Sequence, residues 1–161
     1  MIFGGAVQII AGVMEYIRGN GFAGAAFCSY GCFWLGFFIN NVLAGQKVVT
    51  GGVDAGGEML WFALWGVLTL CFFLFTLRKS INLQIIFSTL TVTFFLLSAG
   101  VRHPHARQAG GYFGFICAVS AIYTAMCDLA VEELGLMLPG SQIWWPKTPR
   151  GGSHPEGTMP V

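Results

Sequence analysis

Five long apolar stretches separated by short polar joints limit what this chain can fold into more than any other feature. They run at roughly 1–17, 22–44, 59–77, 83–101 and 109–131, close to the about 20 residues a helix needs to cross a hydrocarbon core. Barrel strands are about half that length and alternate in polarity, which these stretches do not. Within lipid a segment must satisfy its own backbone groups, and a helix does so. The residues are 55% hydrophobic and 9% charged, against roughly a quarter charged in soluble domains. A water-soluble fold of this length cannot hide so much apolar surface. The expectation is an all-α fold, a polytopic membrane helix bundle of five transmembrane helices whose solvent is the lipid bilayer.

Other classes fall away. A net charge of +1 offers no basic patch for nucleic acid. The five cysteines all lie in apolar stretches and form no disulfide framework. No basic leader or small-residue cleavage pattern marks a signal peptide. No P-loop, nucleophile elbow, zinc helix or other catalytic constellation is found, and no metal or cofactor is expected. His103 and His105 in "RHPHAR" read as a solvated joint, and Cys28 and Cys32, one turn apart, as packing groups.

The organisation is a bundle over residues 1–134 followed by a Pro- and Gly-rich tail over 135–161. The tail is expected to be largely disordered and cytoplasmic, with Trp144 and Trp145 suited to the membrane interface. Three joints, "RGN", "RKSIN" and "RHPHARQ", are short, while "GQKVVTGGVDAGGE" is longer, Gly-rich and expected to be mobile. One side of the membrane receives Arg18, Arg78, Lys79, Lys147 and Arg150; the other receives Lys47, Arg102 and Arg107. That bias of five against three puts the C-terminus in the cytoplasm. With five helices the amino end must then be translocated, which a preceding sixth helix would avoid. The chain is therefore expected to lack its beginning.

Small residues recur at helical spacing: Gly5 and Gly12 near the start, then Gly110, Gly114, Ala118, Ala121 and Ala125. Such stripes let helices approach closely in lipid. Polar side chains inside the spans carry more information. Ser29 and Tyr30 lie mid-span in the second stretch, with Asn40 and Asn41 beyond them. Ser88, Thr89, Thr91 and Thr93 cluster in the fourth, and Ser120, Tyr123 and Thr124 in the fifth. Each hydroxyl could simply bond a neighbouring helix or its own backbone. Hydroxyls at similar depth on three helices could instead line a path for a small, weakly charged solute, with Phe, Leu and Tyr setting a size limit. Glu15, Asp128 and Glu132 sit near helix ends, where interfacial solvation is the plainer reading, and Arg18 is a natural partner for Glu15. Were Glu15 to face a narrow vestibule, it could carry protons.

The stretch "FGGAVQIIAGVMEYIRGNGFAGAAFCSYGCFW" (3–34) resembles the acetate uptake transporter family, the succinate–acetate permeases of bacteria, fungi and protists. Gly4-Gly5, Gln8, Ala11-Gly12, Glu15, Gly19-Asn20, Phe22, Phe27, Ser29-Tyr30-Gly31 and Phe33-Trp34 carry the likeness. "LWGVLTL" (64–70), "LQIIFSTLTVTFFLLSAG" (83–100) and "ICAVSAIYTAM" (116–126) continue it in order, so it covers about 3–133. The resemblance implies six helices, a homo-oligomer (a hexamer), and a pore in each subunit for acetate and related monocarboxylates, with proton symport as one coupling. It implies a plasma-membrane location. Tyr30 and Leu90 match two members of the family's constriction, whose third, a Phe, belongs to a helix absent here together with the Asn-Pro-Ala-Pro-Leu-Gly-Leu signature. Ala121 matches a position that tunes which carboxylates pass. Gln8, Glu15 and Asn20 match motif positions, and Ser29, Ser88, Thr91 and Ser120 remain pathway candidates from their placement. Two departures stand out: Gly100-Val101-Arg102 in place of the usual Gly-Asn, and Cys127-Asp128 in place of Gly-Glu. The resemblance implies a small-carboxylate transporter or channel, the alternative being a truncated, non-conducting membrane subunit of such an oligomer.

Overall fold

The computed structural model of the protein describes residues 2–45 and 54–141. Residues 46–53 of the Gly-rich joint, the tail beyond Ser141 with Trp144 and Trp145, and the charges of Lys47, Lys147 and Arg150 lie outside the described residues. A wide π-helical entry, Ile2–Val7, leads into α1, Gln8–Ile17. Then follow α2 (Gly21–Gly45), α3 (Ala55–Thr76), α4 (Ile81–Gly100) and α5 (Pro104–Leu134). No strand occurs among the described residues. The chain is an all-α, polytopic membrane helix bundle: four of its helices are long and apolar enough to cross a membrane, and Ile2–Ile17 is a shorter apolar helix.

Local chemistry sets the ends. α3 begins at Ala55 rather than near 59, because Asp54 stays extended and its carboxylate accepts the Gly57 N–H at 3.0 Å. A polar N-cap thus starts the helix inside a Gly-rich segment that hydropathy assigns to the joint. α5 begins at Pro104 rather than near 109. Proline suits the first helical position, where its missing N–H costs nothing, although the polar residues Arg107 and Gln108 dilute the apolar signal there. Gly19 and Gly135 take the left-handed conformation, with φ of 78° and 65°, and end α1 and α5.

The helices pack in two groups. In the hairpin α1–α2, glycines face glycines. A Cβ on Gly31 would come within 2.9 Å of the Gly5 carbonyl oxygen and 3.1 Å of the Ile9 nitrogen. One on Gly12 would come within 2.8 Å of the Cys28 nitrogen. Backbone meets backbone here, the association that lipid permits in the absence of a hydrophobic drive. In the second group α4 packs closely on α3 and on α5. Gly110 lies under Leu96 and Leu97, and Gly114 on Thr93. Further along, Ala118, Ala121 and Ala125 are exposed, so the small-residue stripe of α5 packs α4 only over its first part.

Rings join the two groups. Phe22, Tyr30 and Phe33 of α2 meet Trp65 and Phe72 of α3 and Phe87 and Phe94 of α4, at centroid separations of 5.0 Å (Phe33–Trp65) to 6.5 Å (Tyr30–Phe94). Such pairs contribute about 0.5–1.5 kcal/mol each beyond the area they bury. At one end of the seam the Lys79 ammonium stands 4.6 Å from the centre of the Phe22 ring, a favourable cation–π geometry. Outward-facing Leu64, Phe75, Phe115 and Ile122 are largely exposed, as befits side chains whose solvent is lipid.

Gly31→Ala should push α1 from α2 and lower the melting temperature in detergent by the equivalent of about 1–3 kcal/mol, the usual penalty of overpacking. Gly111→Ala is the control, since a Cβ there meets nothing within 4 Å; its melting point should hold or rise. Equal melting of the two variants would contradict the packing described.

Candidate functional site

Glu15 and Asn20 flank the turn between α1 and α2. The Glu15 carboxylate accepts from Asn20 Nδ2 at 2.6 Å and from Arg18 Nη1 at 3.2 Å. Asn20 also presents its Oδ1 to the Ala23 N–H at 3.4 Å, at the start of α2, and its own N–H donates to the Glu15 carbonyl at 2.8 Å. The Arg18 side chain is mostly exposed, so the ion pair itself adds little. The amide–carboxylate bond beside a left-handed glycine makes this a folded joint, with both groups occupied by each other. Gln8, further up α1, is half-buried.

Tyr30 lies deeper. It is 7% exposed, enclosed by the rings of Trp65, Phe72, Phe87 and Phe94. Its hydroxyl donates to Thr69 Oγ1 at 3.0 Å, and Thr69 donates in turn to the Trp65 carbonyl at 2.7 Å. Leu90 packs against the same cluster from α4, in the row Leu83, Phe87, Leu90, Phe94, Leu97. The structure therefore brings Tyr30, buried, and Leu90, half-buried, to one apolar cluster between α2, α3 and α4. Ser29 sits beside Tyr30, half-buried.

Four of the other candidate hydroxyls bond within their own helices. Ser88 donates to the Ile85 carbonyl at 3.1 Å, Thr91 to Phe87 at 2.7 Å, Thr93 to Thr89 at 2.8 Å, and Ser120 to Ile116 at 2.9 Å. Thr91 is buried; Ser88 and Ser120 are half-buried. Ser120 helps line a hollow of about 290 Å³ with Asn82, Ile85, Val119 and Tyr123, which Tyr30 and Leu90 do not line. Ala121 is exposed on α5. Tyr30, Leu90 and Ala121 thus do not form one ring among the described residues.

Four groups escape sequence reasoning. Thr69 and Thr76 have no exposed surface at all. They fall on the α3 face Phe62, Gly66, Thr69, Phe72, Thr76, whose helical spacing was available as a signal. That signal is masked because the opposite, lipid-facing side is equally apolar. Asn82 and Cys127 form a pair between α4 and α5, Nδ2 to Sγ at 3.7 Å, over which the chain folds back after Gly135. Pro139 accepts from the Tyr123 hydroxyl at 3.0 Å, and Gly140 from the Asn82 N–H at 3.3 Å. The first residues of the segment read as a disordered tail are therefore held against α4 and α5.

Residues 1–141 match the profile of the GPR1/FUN34/yaaH family. This chain belongs to the GPR1/FUN34/yaaH family. It is 39% identical over 137 residues to the succinate-acetate/proton symporter SatP of Escherichia coli K12, covering 84% of this chain and 72% of that protein. It is 30% identical over 165 residues to acetate permease A of Emericella nidulans, covering 92% of this chain and 55% of that one. A solved structure of the bacterial acetate channel SatP superposes with a TM-score of 0.77 at 39% identity, over 84% of this chain and 75% of that one. The resemblance read from the opening stretch is thereby established. These GPR1/FUN34/yaaH relatives are transporters and channels, and the present chain is an integral, multi-pass membrane protein.

For this GPR1/FUN34/yaaH chain the joint gives a test of whether its polar groups hold structure. Asn20→Ala should lower the melting temperature by the equivalent of about 1–2 kcal/mol, the usual cost of a lost cap. Glu15→Gln keeps an acceptor for Asn20 and should lose less. The reverse order, measured by thermal unfolding in detergent, would show that the contacts at the turn are incidental.

Proposed function

We propose that the protein carries acetate and related small monocarboxylates across the membrane that holds it. The observation that carries this reading is the shared architecture with the acetate channel SatP, at a TM-score of 0.77 and 39% identity. The names of two further relatives, a succinate-acetate/proton symporter and an acetate permease, agree in substrate class. In this reading the solute passes along the aromatic seam, and Tyr30 and Leu90 form its constriction. Tyr30 belongs to the buried cluster between the two helix groups and Leu90 packs against it, where a small displacement of side chains opens or shuts a narrow apolar gate. Ala121, Ser29, Ser88, Thr91 and Ser120 are further wall positions, and Gln8, Glu15 and Asn20 shape the mouth on the α1–α2 side. The protein works as a homo-oligomer, a hexamer on the family's pattern, in the plasma membrane. The end bearing Arg18, Arg78 and Lys79 faces the cytoplasm. Transport is coupled to protons.

The full chain, purified and reconstituted into proteoliposomes, should take up labelled acetate, faster when the outside is mildly acidic. Leu90→Ala should admit bulkier carboxylates and raise the butyrate-to-acetate rate ratio by roughly ten-fold, the scale of removing a few methylene-sized contacts from an apolar sieve. A folded, correctly inserted protein that takes up no acetate would remove the reading. An unchanged ratio in Leu90→Ala would take Leu90 out of the path.

A further inference from the structure

We infer that Thr69 is a positioning residue for the constriction: it tethers the Tyr30 side chain to α3 and thereby sets the size limit of the passage. The inference rests on the transport reading above. Proton accounting carries it. A threonine hydroxyl has one hydrogen, and Thr69 gives its own to the Trp65 carbonyl at 2.7 Å. Its oxygen is then left with acceptor capacity only, directed into a core where it has no exposed surface. The Tyr30 hydroxyl fills that position at 3.0 Å. The relay therefore runs one way, from Tyr30 to Thr69 to Trp65, and ends on the backbone of α3.

The surroundings make the bond matter. Trp65, Phe72, Phe87 and Phe94 surround the Tyr30 ring. A phenol that swings aside to admit a solute leaves its one hydrogen-bond partner inside a core walled mainly by rings. A buried polar group without a partner is costly, so the bond adds to the energy needed to open the gate. It also ties a side chain of the α1–α2 hairpin to a helix of the other group, across the seam along which the two would part. Thr69 touches Tyr30 and need not touch the solute.

Thr69→Val removes the acceptor while filling nearly the same space, and Thr69→Ser retains it. In proteoliposomes, Thr69→Val should raise the butyrate-to-acetate rate ratio roughly two- to ten-fold, the worth of one hydrogen bond. Thr69→Ser should keep the wild-type ratio. Tyr30→Phe cuts the same bond from the other side, and the double variant should shift the ratio no more than the larger single change. A Thr69→Val ratio equal to wild type, or single effects that multiply in the double variant, would overturn the inference.

A second measurement separates the tether from transport. The protein has four tyrosines, so 3-fluorotyrosine labelling in nanodiscs gives few fluorine lines, and Tyr30→Phe identifies the one sought. That line should move or broaden in Thr69→Val and stay in place in Thr69→Ser. An unmoved line in Thr69→Val would rule out the tether whatever the transport data show. Failure of the wild-type chain to take up acetate would count against the transport reading instead.

Discussion

A hydroxyl in the core of a bilayer has no water to bond, so it must find a partner within the protein. This constraint arranges most of the structure. Thr89, Thr91 and Thr93 on α4, Ser120 and Thr124 on α5, and Thr69 and Thr76 on α3 each donate to a carbonyl of the same helix, three or four residues back. Among the described residues no buried side-chain nitrogen or oxygen is left without a partner. These helices behave as apolar rods despite their threonines, and shape, not polar attraction, decides how they pack. Two hydroxyls reach across to another helix: Ser98 of α4 donates to the Met59 carbonyl of α3 at 2.8 Å, and Tyr30, whose phenol stands too far from its own helix to reach a carbonyl there, donates to Thr69.

Two kinds of seam follow. Where glycines face each other, as at Gly5, Gly12 and Gly31, backbones approach closely, with only the Leu35, Cys28 and Ile9 side chains packed beside them. The α1–α2 hairpin is accordingly a stiff unit. Where rings face each other, between α2 and the α3–α4 pair, the interface consists of side chains turning about two torsions each. A solute-sized opening costs less on the second seam than on the first, because rings change rotamer while the backbones stay in place. The placement of Tyr30 and Leu90 on the ring seam is thus mechanically sensible for a constriction.

The sequence made the class of the fold legible, because unbroken apolar length needs only composition. It blurred helix starts wherever capping outweighed hydropathy. Asp54 begins α3 within a run of glycines, and Pro104 begins α5 ahead of a polar turn. Of the proposed site, Tyr30 and Leu90 were reached through family likeness. Tyr30 lies within the buried cluster that includes Phe87 and Phe94, and Leu90 packs against it. Thr69 stands inside "LWGVLTL", yet nothing in that stretch marks it as facing inward. In water a buried threonine on an amphipathic helix betrays itself by the polar face opposite. In lipid both faces are apolar, and period alone cannot say which one looks inward. The mutual contact of Glu15 and Asn20 was missed for a different reason: it depends on the left-handed turn at Gly19, which folds residues five apart in sequence onto each other.

The same hydrogen-bond accounting bears on the form in which an acid could cross. A carboxylate seeks donors, and the hydroxyl protons at the centre of the seam are already committed. Tyr30 gives its proton to Thr69, Thr69 to Trp65 and Thr91 to Phe87. What these hydroxyls retain are oxygen lone pairs, which repel an anion and welcome a donor. No Lys or Arg stands in the described parts of α2, α3 or α4 to offset that preference. A protonated acid brings its own donor and no net charge, and it enters a ring-lined passage without the desolvation penalty that a bare carboxylate meets there. The spent hydroxyls are thus consistent with the proton-coupled form of the proposed transport, in which the solute brings its own proton.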